Sequence, residues 1–341
     1  MIMNLERLTK ILEKIKNVKI AVVGDYFLDK YLIIDPDKDE PSLETYLTAY
    51  QVVEKRLSPG AAGTVANNLH AFGVSKIIAV GFAGKDGEGY ELLKCLKDIN
   101  VNTNHLLRTD DLITPTYTKP MRMETVGIRE LNRLDIKNFK KLPHSIESKI
   151  IEIIYDLSTK TDAILAMDQV EELNFGVVTA KVKKALAEIG KTNDKIFIYG
   201  DSRAFVSHYR NITVKCNNRE LVKVMGGNPG DEDDLDKLAV LGIRMSKQNG
   251  RPVFVTLGAS GIMVIMDSET TVIPAIKVEG PIDICGAGDT ASAAIVSAIC
   301  AGCTHEEAAF MANLAASITI QQIGATGTAA PEQIIERYKT L

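Results

Sequence analysis

The chain has 341 residues and a formal net charge of −4, and 45% of its residues are hydrophobic and 25% charged. This composition is typical of a globular protein with enough apolar residues for a sizeable core. The weak negative charge argues against a nucleic-acid partner, and no apolar stretch approaches the roughly 20 residues of a membrane span. We expect a cytoplasmic protein without a signal peptide, whose five cysteines are reduced thiols.

Short apolar runs typical of β-strands alternate with helical patterns along the chain. The strand-like runs are 19–24, 75–80, 163–167, 195–199, 213–216, 253–257 and 262–266, and the helical patterns include 61–72, 89–99, 146–157 and 176–189. This alternation predicts an α/β fold with a mostly parallel sheet covered on both faces. Ligands of such sheets bind beyond the carboxyl ends of the strands, where we expect Asp25, Asp201 and the 283–289 loop.

Two segments, about 31–56 and about 114–135, interrupt this pattern. Both are polar, extended and rich in Thr, Tyr and charged residues. We expect them to form strands of a small sheet that stands off the main body. Because no Pro-, Gly- or Ser-rich linker separates them from the rest, we predict a single domain over residues 1–341 with these two excursions.

Two stretches near the N-terminus carry candidate substrate contacts. Asp25 and Asp29 follow the first apolar run, and a carboxylate suits sugar hydroxyls because it only accepts hydrogen bonds. A loop aspartate that caps a helix is an equally good interpretation. Residues 58–69 (SPGAAGTVANNL) form a glycine turn that opens a helix, where small side chains let a substrate touch the backbone.

Two later stretches stand out, a candidate ion site and a glycine turn. Asn217 and Glu220 are three residues apart on a first helical turn, so both can face one Mg²⁺ ion, which prefers oxygen ligands and keeps its waters. The same spacing is also an ordinary helix start. Residues 255–261 form a strand and a glycine turn, for which a plain hairpin is an alternative.

Residues 283–290 (DICGAGDT) precede an apolar helical run and are the most informative stretch of the chain. Gly286 and Gly288 permit a tight turn whose amides point together at a helix start, which is a site for anions. Asp289 at its mouth suits the deprotonation of a hydroxyl beside developing negative charge. The alternative is an ordinary glycine turn with Asp289 as an N-cap. The octet predicts a phosphoryl-transfer centre.

These motifs, in this order, resemble the PfkB/ribokinase family of carbohydrate kinases, whose C-terminal signature is Asp-Thr-x-Gly-Ala-Gly-Asp. Asp283, residues 286–288 and Asp289 match it, and Ile284 departs from it. The resemblance implies a ribokinase-like three-layer α/β/α fold with a small β lid. It also implies an ATP- and Mg²⁺-dependent phosphotransferase with an alcohol group as acceptor. Asp283 is a candidate ligand for a monovalent cation.

The resemblance assigns roles residue by residue. Asp289 is the catalytic base, and Gly286, Ala287 and Gly288 form the anion hole. Asp29 contacts the sugar beside Gly60, Ala61 and Thr64, although Ala61 stands for a Gly and Thr64 for an Asn of the family pattern. The nucleotide-binding residues are Asn217, Glu220, Thr256, Gly258, Gly261, Asn313 and Ser317, and Asn217 and Glu220 also organise Mg²⁺ through water.

Within that family the sequence is most similar to the heptose 7-phosphate kinase branch, on the stretches 119–122 (KPMR) and 133–135 (RLD). Lys119, Arg122 and Arg133 are therefore candidates for binding a phosphate on the acceptor, arginine through its bidentate fork. They are equally well interpreted as charges on the lid surface. We expect the cytidylyltransferase half that is often fused in that branch to be missing.

The leading hypothesis is a sugar or sugar-phosphate kinase that forms a homodimer through the lid. The departures at Ala61, Thr64 and Ile284 motivate an alternative, a non-catalytic sensor of nucleotides or sugar phosphates on the same scaffold. A nucleoside kinase of the same family is the third hypothesis. The sequence decides neither the sugar nor the hydroxyl that is phosphorylated.

Overall fold

Strands and helices alternate through residues 2–324 and 326–341, which the computed structural model describes. The strands of this part of the chain are β1 (Lys19–Gly24), β2 (Tyr26–Ile34), β3 (Glu40–Pro41), β4 (Thr48–Ala49), β5 (Val52–Ala61), β6 (Lys76–Gly84), β7 (Asn102–Thr109), β8 (Thr116–Met123), β9 (Ile128–Glu130), β10 (Leu134–Ile136), β11 (Ala163–Asp168), β12 (Phe197–Ser202), β13 (Thr213–Asn217), β14 (Val253–Thr256), β15 (Ile262–Met266) and β16 (Glu269–Ile273). The helices are α1 (Leu5–Ile15), α2 (Ala62–Ala71), α3 (Gly87–Asp98), α4 (His144–Leu157), α5 (Ala180–Thr192), α6 (Asn218–Met225), α7 (Leu235–Asn249), α8 (Ala287–Cys300), α9 (His305–Thr319) and α10 (Pro331–Lys339).

The main sheet has the strand order β16-β15-β14-β13-β12-β11-β1-β6-β7 within the described chain. Strands β14 to β7 in this order run parallel, and β15 and β16 are antiparallel additions at one edge. The predicted α/β fold with a mostly parallel sheet is therefore confirmed. The sequence missed β7 and β16 because these edge strands are only partly buried and carry no continuous apolar run.

Alternate residues of the sheet face two helical layers. Ile20 and Val22 belong to the core on the side of α1, α2, α3, α8, α9 and α10, whereas Ala21 and Val23 belong to the core on the side of α4 to α7. Helix α8 is buried from Thr290 to Ala298, and most of these residues are alanine or serine. Their small side chains allow α9 to pack closely against α8. No helix in the described ranges is both long and apolar enough to cross a membrane.

A second sheet, which we call the lid sheet, consists of β2, β5, β8, β9 and β10. Strand β2 pairs antiparallel with β5 and parallel with β8. Both interrupting segments contribute strands to it, but the lid sheet begins earlier than expected, at Tyr26, directly after β1. Asp29 therefore lies inside a lid strand and not in a loop at the end of the first strand.

Candidate active site

The turn before α8 carries the predicted catalytic residues. Gly286 is the N-cap of α8 with a φ of 79°, in the left-handed region that favours glycine. The Ala287 N–H donates to the Ile284 carbonyl at 3.2 Å, but the N–H groups of Gly288 and Asp289 have no acceptor in the described chain. Unpaired amides at a helix N-terminus stabilise negative charge, so this turn can hold an anion beside Asp289.

The Asp289 carboxyl is half-buried, and this burial raises its pKa to about 7. The Asp201 carboxylate adds to the rise, whereas Lys215 and Arg203 lower the pKa. A carboxyl that titrates near neutrality is matched to the task of a general base, because it then accepts a proton readily without being protonated throughout.

A buried ion pair stands next to this turn. Asp201 on β12 and Lys215 on β13 are register partners, and Nζ of the lysine lies 2.8 Å from Oδ2 of the aspartate. Burial alone would lower the pKa of Lys215, but Asp201 raises it above its ordinary value, so the ammonium stays charged. A Cβ added to Gly288 would lie 3.3 Å from Lys215 Nζ, which places the ammonium against the glycine turn.

Asp25, the other carboxylate at the end of β1, has a structural task. It accepts hydrogen bonds from the backbone N–H groups of Gln169, Val170 and Val177 at 3.0, 3.3 and 2.7 Å. Burial raises its pKa to about 6. Asp25 therefore anchors the loop after β11.

The lid sheet presents Asp29 to the same region. Its carboxylate is 6% exposed and lies over Gly60, where an added Cβ would be only 2.9 Å from Oδ2. Lys119 Nζ lies 3.6 Å from Asp29 Oδ1 and donates to the Tyr31 hydroxyl at 3.1 Å. The negative charge of Asp29 also contributes to the raised pKa of Asp289, so the structure brings these two carboxylates into one site.

The other residues of the first signature lie beside Asp29 with little exposed surface. Ala61 ends β5 with a φ of 54°, an unusual value for a residue with a side chain. Thr64 is 3% exposed in the first turn of α2, and its hydroxyl is directed at the Pro59 carbonyl at 3.5 Å. The Thr64 hydroxyl thus faces the chain itself in this structure.

Arg122 and Arg133 each have an acidic partner within the lid. Arg122 Nη1 lies 2.9 Å from Asp39 Oδ2. Lys119 and Arg122 are three positions apart on β8, so their side chains leave the strand on opposite faces. The structure therefore does not bring Arg122 to Asp29. Arg133 forms a bidentate pair with Asp135 at 2.6 and 2.9 Å, on the same side as Asp29, whose pKa it lowers.

Asn217 and Glu220 form a capping box at the start of α6. The Asn217 side chain accepts from the Glu220 N–H, and the Glu220 carboxylate accepts from the Asn217 N–H, both at 2.8 Å. Burial and the charge of Asp201 raise the pKa of Glu220. The pair is thus a helix start, as the structural alternative predicted, and it also lies within range of the Asp201–Lys215 ion pair.

Of the remaining predicted nucleotide contacts, Gly261 and Asn313 lie at the end of β16. Thr256 is the register partner of Asn217, and Gly261, with a φ of 101°, has no room for a Cβ beside the Ile273 carbonyl. Gly258 borders open space, because a Cβ added there would meet no heavy atom of the described residues within 4 Å. The Asn313 amide on α9 donates to the carbonyls of Ile273 and Pro274, both at 3.0 Å, and Ser317 donates to the Leu314 carbonyl at 2.7 Å.

The Asp283 carboxylate ties two loops together. It accepts from the N–H groups of Cys285 at 2.9 Å and Gly324 at 3.2 Å. In the described ranges, no group of three or more His, Cys, Asp or Glu side chains has the arrangement of a metal site.

Sequence reasoning did not assign a role to Lys215 or Arg203. Lys215 lies within the apolar run 213–216, and a lysine inside a predicted buried strand is a signal that could have identified it. Arg203 follows β12 directly and lowers the pKa of both Asp289 and Glu220. Its position beyond the carboxyl end of a parallel strand was the available signal.

Residues 20–333 match the pfkB family of carbohydrate kinases. The bifunctional protein HldE of Nitratiruptor sp. is 30% identical over 325 residues, which are 95% of this chain and 65% of that protein. This chain thus spans slightly less than two thirds of the length of that relative.

Two solved structures share the fold. The ribokinase of Arabidopsis thaliana, complexed with ribose and ATP, has a TM-score of 0.67 at 17% identity and covers 95% of this chain and 99% of its own. Phosphofructokinase-2 from Escherichia coli, in complex with potassium, has a TM-score of 0.73 with the same identity and coverage. The fold is therefore ribokinase-like, with three α/β/α layers.

Proposed function

This chain belongs to the pfkB family of carbohydrate kinases, and we propose that it transfers the γ-phosphoryl group of ATP to a hydroxyl of a sugar or sugar phosphate. It is a phosphotransferase that acts on an alcohol group. The observation that carries the proposal is the position of Asp289, whose pKa is raised to about 7, beside unpaired helix-terminal amides and the Lys215 ammonium.

In the proposed reaction Asp289 accepts the proton of the acceptor hydroxyl as its oxygen attacks the γ-phosphorus. The carboxylate is suited to this task because partial burial weakens the hydration of its charge and so raises its pKa. Asp29 holds neighbouring hydroxyls of the acceptor; burial raises the pKa of this carboxyl, and Lys119 opposes the rise. The lid sheet brings Asp29 over the reacting group and excludes water.

Negative charge that develops on the transferred group meets three fixed donors. These are the Gly288 and Asp289 amides at the start of α8 and the Lys215 ammonium. Asp201 and Ser292 hold the lysine in place, because Asp201 Oδ2 binds Lys215 Nζ and the Ser292 hydroxyl, both at 2.8 Å. Donors that are already oriented need no reorganisation during the reaction, which is the main source of such stabilisation.

The carboxylates of Asp201 and Glu220 are suited to a Mg²⁺ ion that is shared with the nucleotide. After burial, the charge of Asp201 is the next cause of the raised pKa of Glu220, so the two carboxylates lie close enough for their charges to interact. Glu220 uses one oxygen as a cap and leaves the other available. When bound, Mg²⁺ neutralises charge on the phosphates and keeps several of its waters. A monovalent cation at Asp283 stays a prediction.

The acceptor class that we favour is a sugar phosphate, as in the heptose 7-phosphate kinase branch that the sequence resembles. The lid contributes basic groups on the side of Asp29, namely Lys119 and Arg133, which suit an acidic acceptor better than a neutral nucleoside. A cytoplasmic location is part of the same proposal.

We also propose that the chain forms a homodimer through the lid. The hairpin of β3 and β4 and the strands near it leave large apolar side chains exposed, which is unusual for a surface without a partner. These side chains are Leu43, Tyr46, Leu47, Val52, Val53, Ile128 and Leu134.

The decisive experiment measures ADP release with heptose 7-phosphate, fructose 6-phosphate, fructose, ribose and a nucleoside as acceptors, with product identified by mass spectrometry. We expect ATP- and Mg²⁺-dependent phosphorylation of at least one carbohydrate, abolished nearly completely by Asp289→Asn. Binding of ATP without turnover of any acceptor would favour the sensor. Phosphorylation of the nucleoside alone would favour a nucleoside kinase.

A further inference from the structure

A cavity of about 250 Å³ opens between the lid sheet and the loop that follows β11. Its lining includes Phe27 and Tyr117 from the lid, Gln169 from the loop, and two cations, Lys137 and Arg203. None of these residues belongs to the predicted site. We call this cavity the lid chamber.

The lid chamber begins next to Asp29. Asp29 and Tyr117 are register partners in the parallel pair of β2 and β8, and Phe27 lies two residues before Asp29 on the same face of β2. Two residues of a strand span about 7 Å. An acceptor that presents its reacting hydroxyl to Asp289 and a neighbouring hydroxyl to Asp29 can therefore extend its other end into the chamber.

Arg203 is a basic residue near the site whose side chain has no acidic partner among the described residues. In residues 2–324 and 326–341 its guanidinium forms no ion pair and donates no hydrogen bond, whereas Arg122 and Arg133 are both paired with aspartates. Lys137 likewise has no acidic partner in this part of the chain and stands 5.9 Å from the centre of the Tyr117 ring. Three acidic residues also line the chamber. The Asp25 carboxylate accepts hydrogen bonds from backbone N–H groups of the loop, and Glu171 and Glu172 are solvent-exposed, as are Arg203 and Lys137.

A buried network holds Arg203 in position. The Arg203 N–H donates to the Asp168 carbonyl at 3.2 Å, and the Ser202 hydroxyl donates to the Asp168 carboxylate at 2.8 Å. Lys183 Nζ lies 2.7 Å from the same carboxylate, with both side chains almost fully buried. This ion pair fixes the backbone at Arg203, so only its exposed side chain has to be ordered when it binds a ligand.

We propose that the lid chamber binds the phosphate ester of the acceptor, with Arg203 as its bidentate ligand and Lys137 as a second cation. This inference rests on the proposed function and names the group that decides which acceptor is used. A guanidinium matches the geometry of a phosphate through two parallel N–H···O bonds, and such charge-assisted bonds are about twice as strong as neutral ones. Arg203, rather than Arg122, then determines the preference for phosphorylated acceptors.

The test compares kcat/KM for fructose 6-phosphate and heptose 7-phosphate with that for fructose and ribose, in the wild type, Arg203→Ala, Arg203→Lys, Lys137→Ala and Arg122→Ala. We expect Arg203→Ala to lower kcat/KM for phosphorylated acceptors about 10- to 100-fold more than for free sugars, mainly through KM, since a hydrogen bond to a charged group contributes about 1.5–3 kcal/mol. The comparison is made at about pH 9, where Asp289 is ionised with or without Arg203, because Arg203 also lowers the pKa of that base. Arg203→Lys should recover only part of the loss. Arg129→Ala is the control, because this exposed lid arginine pairs with Glu124 away from Asp29.

Three results would overturn the inference: equal losses for free and phosphorylated acceptors, a selective loss in Arg122→Ala only, or a wild type that phosphorylates free sugars alone. Each of them leaves the proposed kinase function intact. If the wild type phosphorylates no carbohydrate, the proposed function fails, and calorimetric titration with inorganic phosphate still tests the chamber. Binding of inorganic phosphate that is weakened at least tenfold by Arg203→Ala, but not by Arg129→Ala, supports the inference, and equal binding by both variants contradicts it.

Discussion

Asp289 is the residue whose chemistry is most sharply defined. Replacing it with Asn keeps the size and the hydrogen-bonding shape of the side chain but removes the base, so we expect kcat to fall by about 10²–10⁴ with nucleotide binding nearly unchanged. Steady-state kinetics and ATP titration measure both quantities. Asp267→Asn is the control, because Asp267 lies in the exposed turn between β15 and β16 with a φ of 55°, which Asn tolerates. A near-normal kcat in Asp289→Asn would contradict the mechanism.

The same substitution has a consequence for stability. The folded-state pKa of Asp289 is raised to about 7 from an ordinary value of 3.8, so the folded protein holds this proton more tightly than the unfolded chain. The contribution of protonated Asp289 to the free energy of unfolding is therefore complete below about pH 4 and is lost as the pH rises to about 7. We expect Asp289→Asn to unfold at higher urea than the wild type at pH 8 and at the same urea concentration at pH 4. Lower stability at pH 8 would show that the carboxylate is well solvated or compensated.

Catalysis should follow the ionised fraction of Asp289. We expect kcat/KM to rise about tenfold per pH unit below pH 7 and to level off above it, since this quantity reports the free enzyme. Lys215 lowers the pKa of Asp289, so Lys215→Met should shift the rising part of the kcat/KM profile to higher pH and also reduce the rate. The measurement is a pH profile of both proteins at saturating nucleotide. If the rising part of the profile stays at the same pH in Lys215→Met, Lys215 does not act on Asp289.

At the scale of elements, the start of α6 serves as a helix cap and faces the site at the same time. Glu220→Gln retains an oxygen that can accept from the Asn217 N–H, so the helix should persist, but one charge is lost. We expect the Mg²⁺ concentration for half-maximal rate to rise several-fold. Glu307→Gln is the matched control, because Glu307 closes the capping box of α9 with Thr304, away from the site. Identical Mg²⁺ titrations for both variants would leave Glu220 with a structural task alone.

The connection of β11, α5 and the turn after β12 depends on the ion pair of Lys183 with Asp168. Removing the lysine leaves a buried carboxylate without its partner, so we expect Lys183→Met to lower the free energy of unfolding by about 3–5 kcal/mol. Urea denaturation measures this change. Lys184→Met, at the exposed neighbouring position, should change it by less than about 0.5 kcal/mol. The double variant Lys183→Met/Asp168→Asn should recover part of the loss, and no recovery would exclude the stranded charge as its cause.

At the scale of the whole molecule, the exposed apolar side chains of the lid predict self-association. Leu43 and Leu47 on the hairpin of β3 and β4 are 90% and 71% exposed. Light scattering on a sizing column should give twice the chain mass of 37.2 kDa for the wild type and the single mass for Leu43→Lys/Leu47→Lys. Val240→Lys, at a position that is 66% exposed on α7, should stay dimeric. A monomeric wild type would exclude the lid dimer.

Local pattern was sufficient for the fold class and for the elements that begin at recognisable residues. Continuous apolar runs indicated the central strands because these are buried on both faces. The spacing of Asn217 and Glu220 indicated a helix start because the capping box involves only neighbours in sequence. The glycine turn at 286–288 was likewise predictable, since its backbone conformation is a local property.

Pairings between distant parts of the chain were decided only by the tertiary structure. Lys215 stands at the glycine turn because β13 lies next to β12 in a register that sets it against Asp201. Arg122, predicted beside Lys119, is paired with Asp39, because side chains at positions of opposite parity leave a strand on opposite faces. Sequence motifs therefore determined which kinds of groups this protein has for phosphoryl transfer. Strand order and register determined which of them meet, because a side chain's partner depends on distances across the sheet that no local pattern encodes.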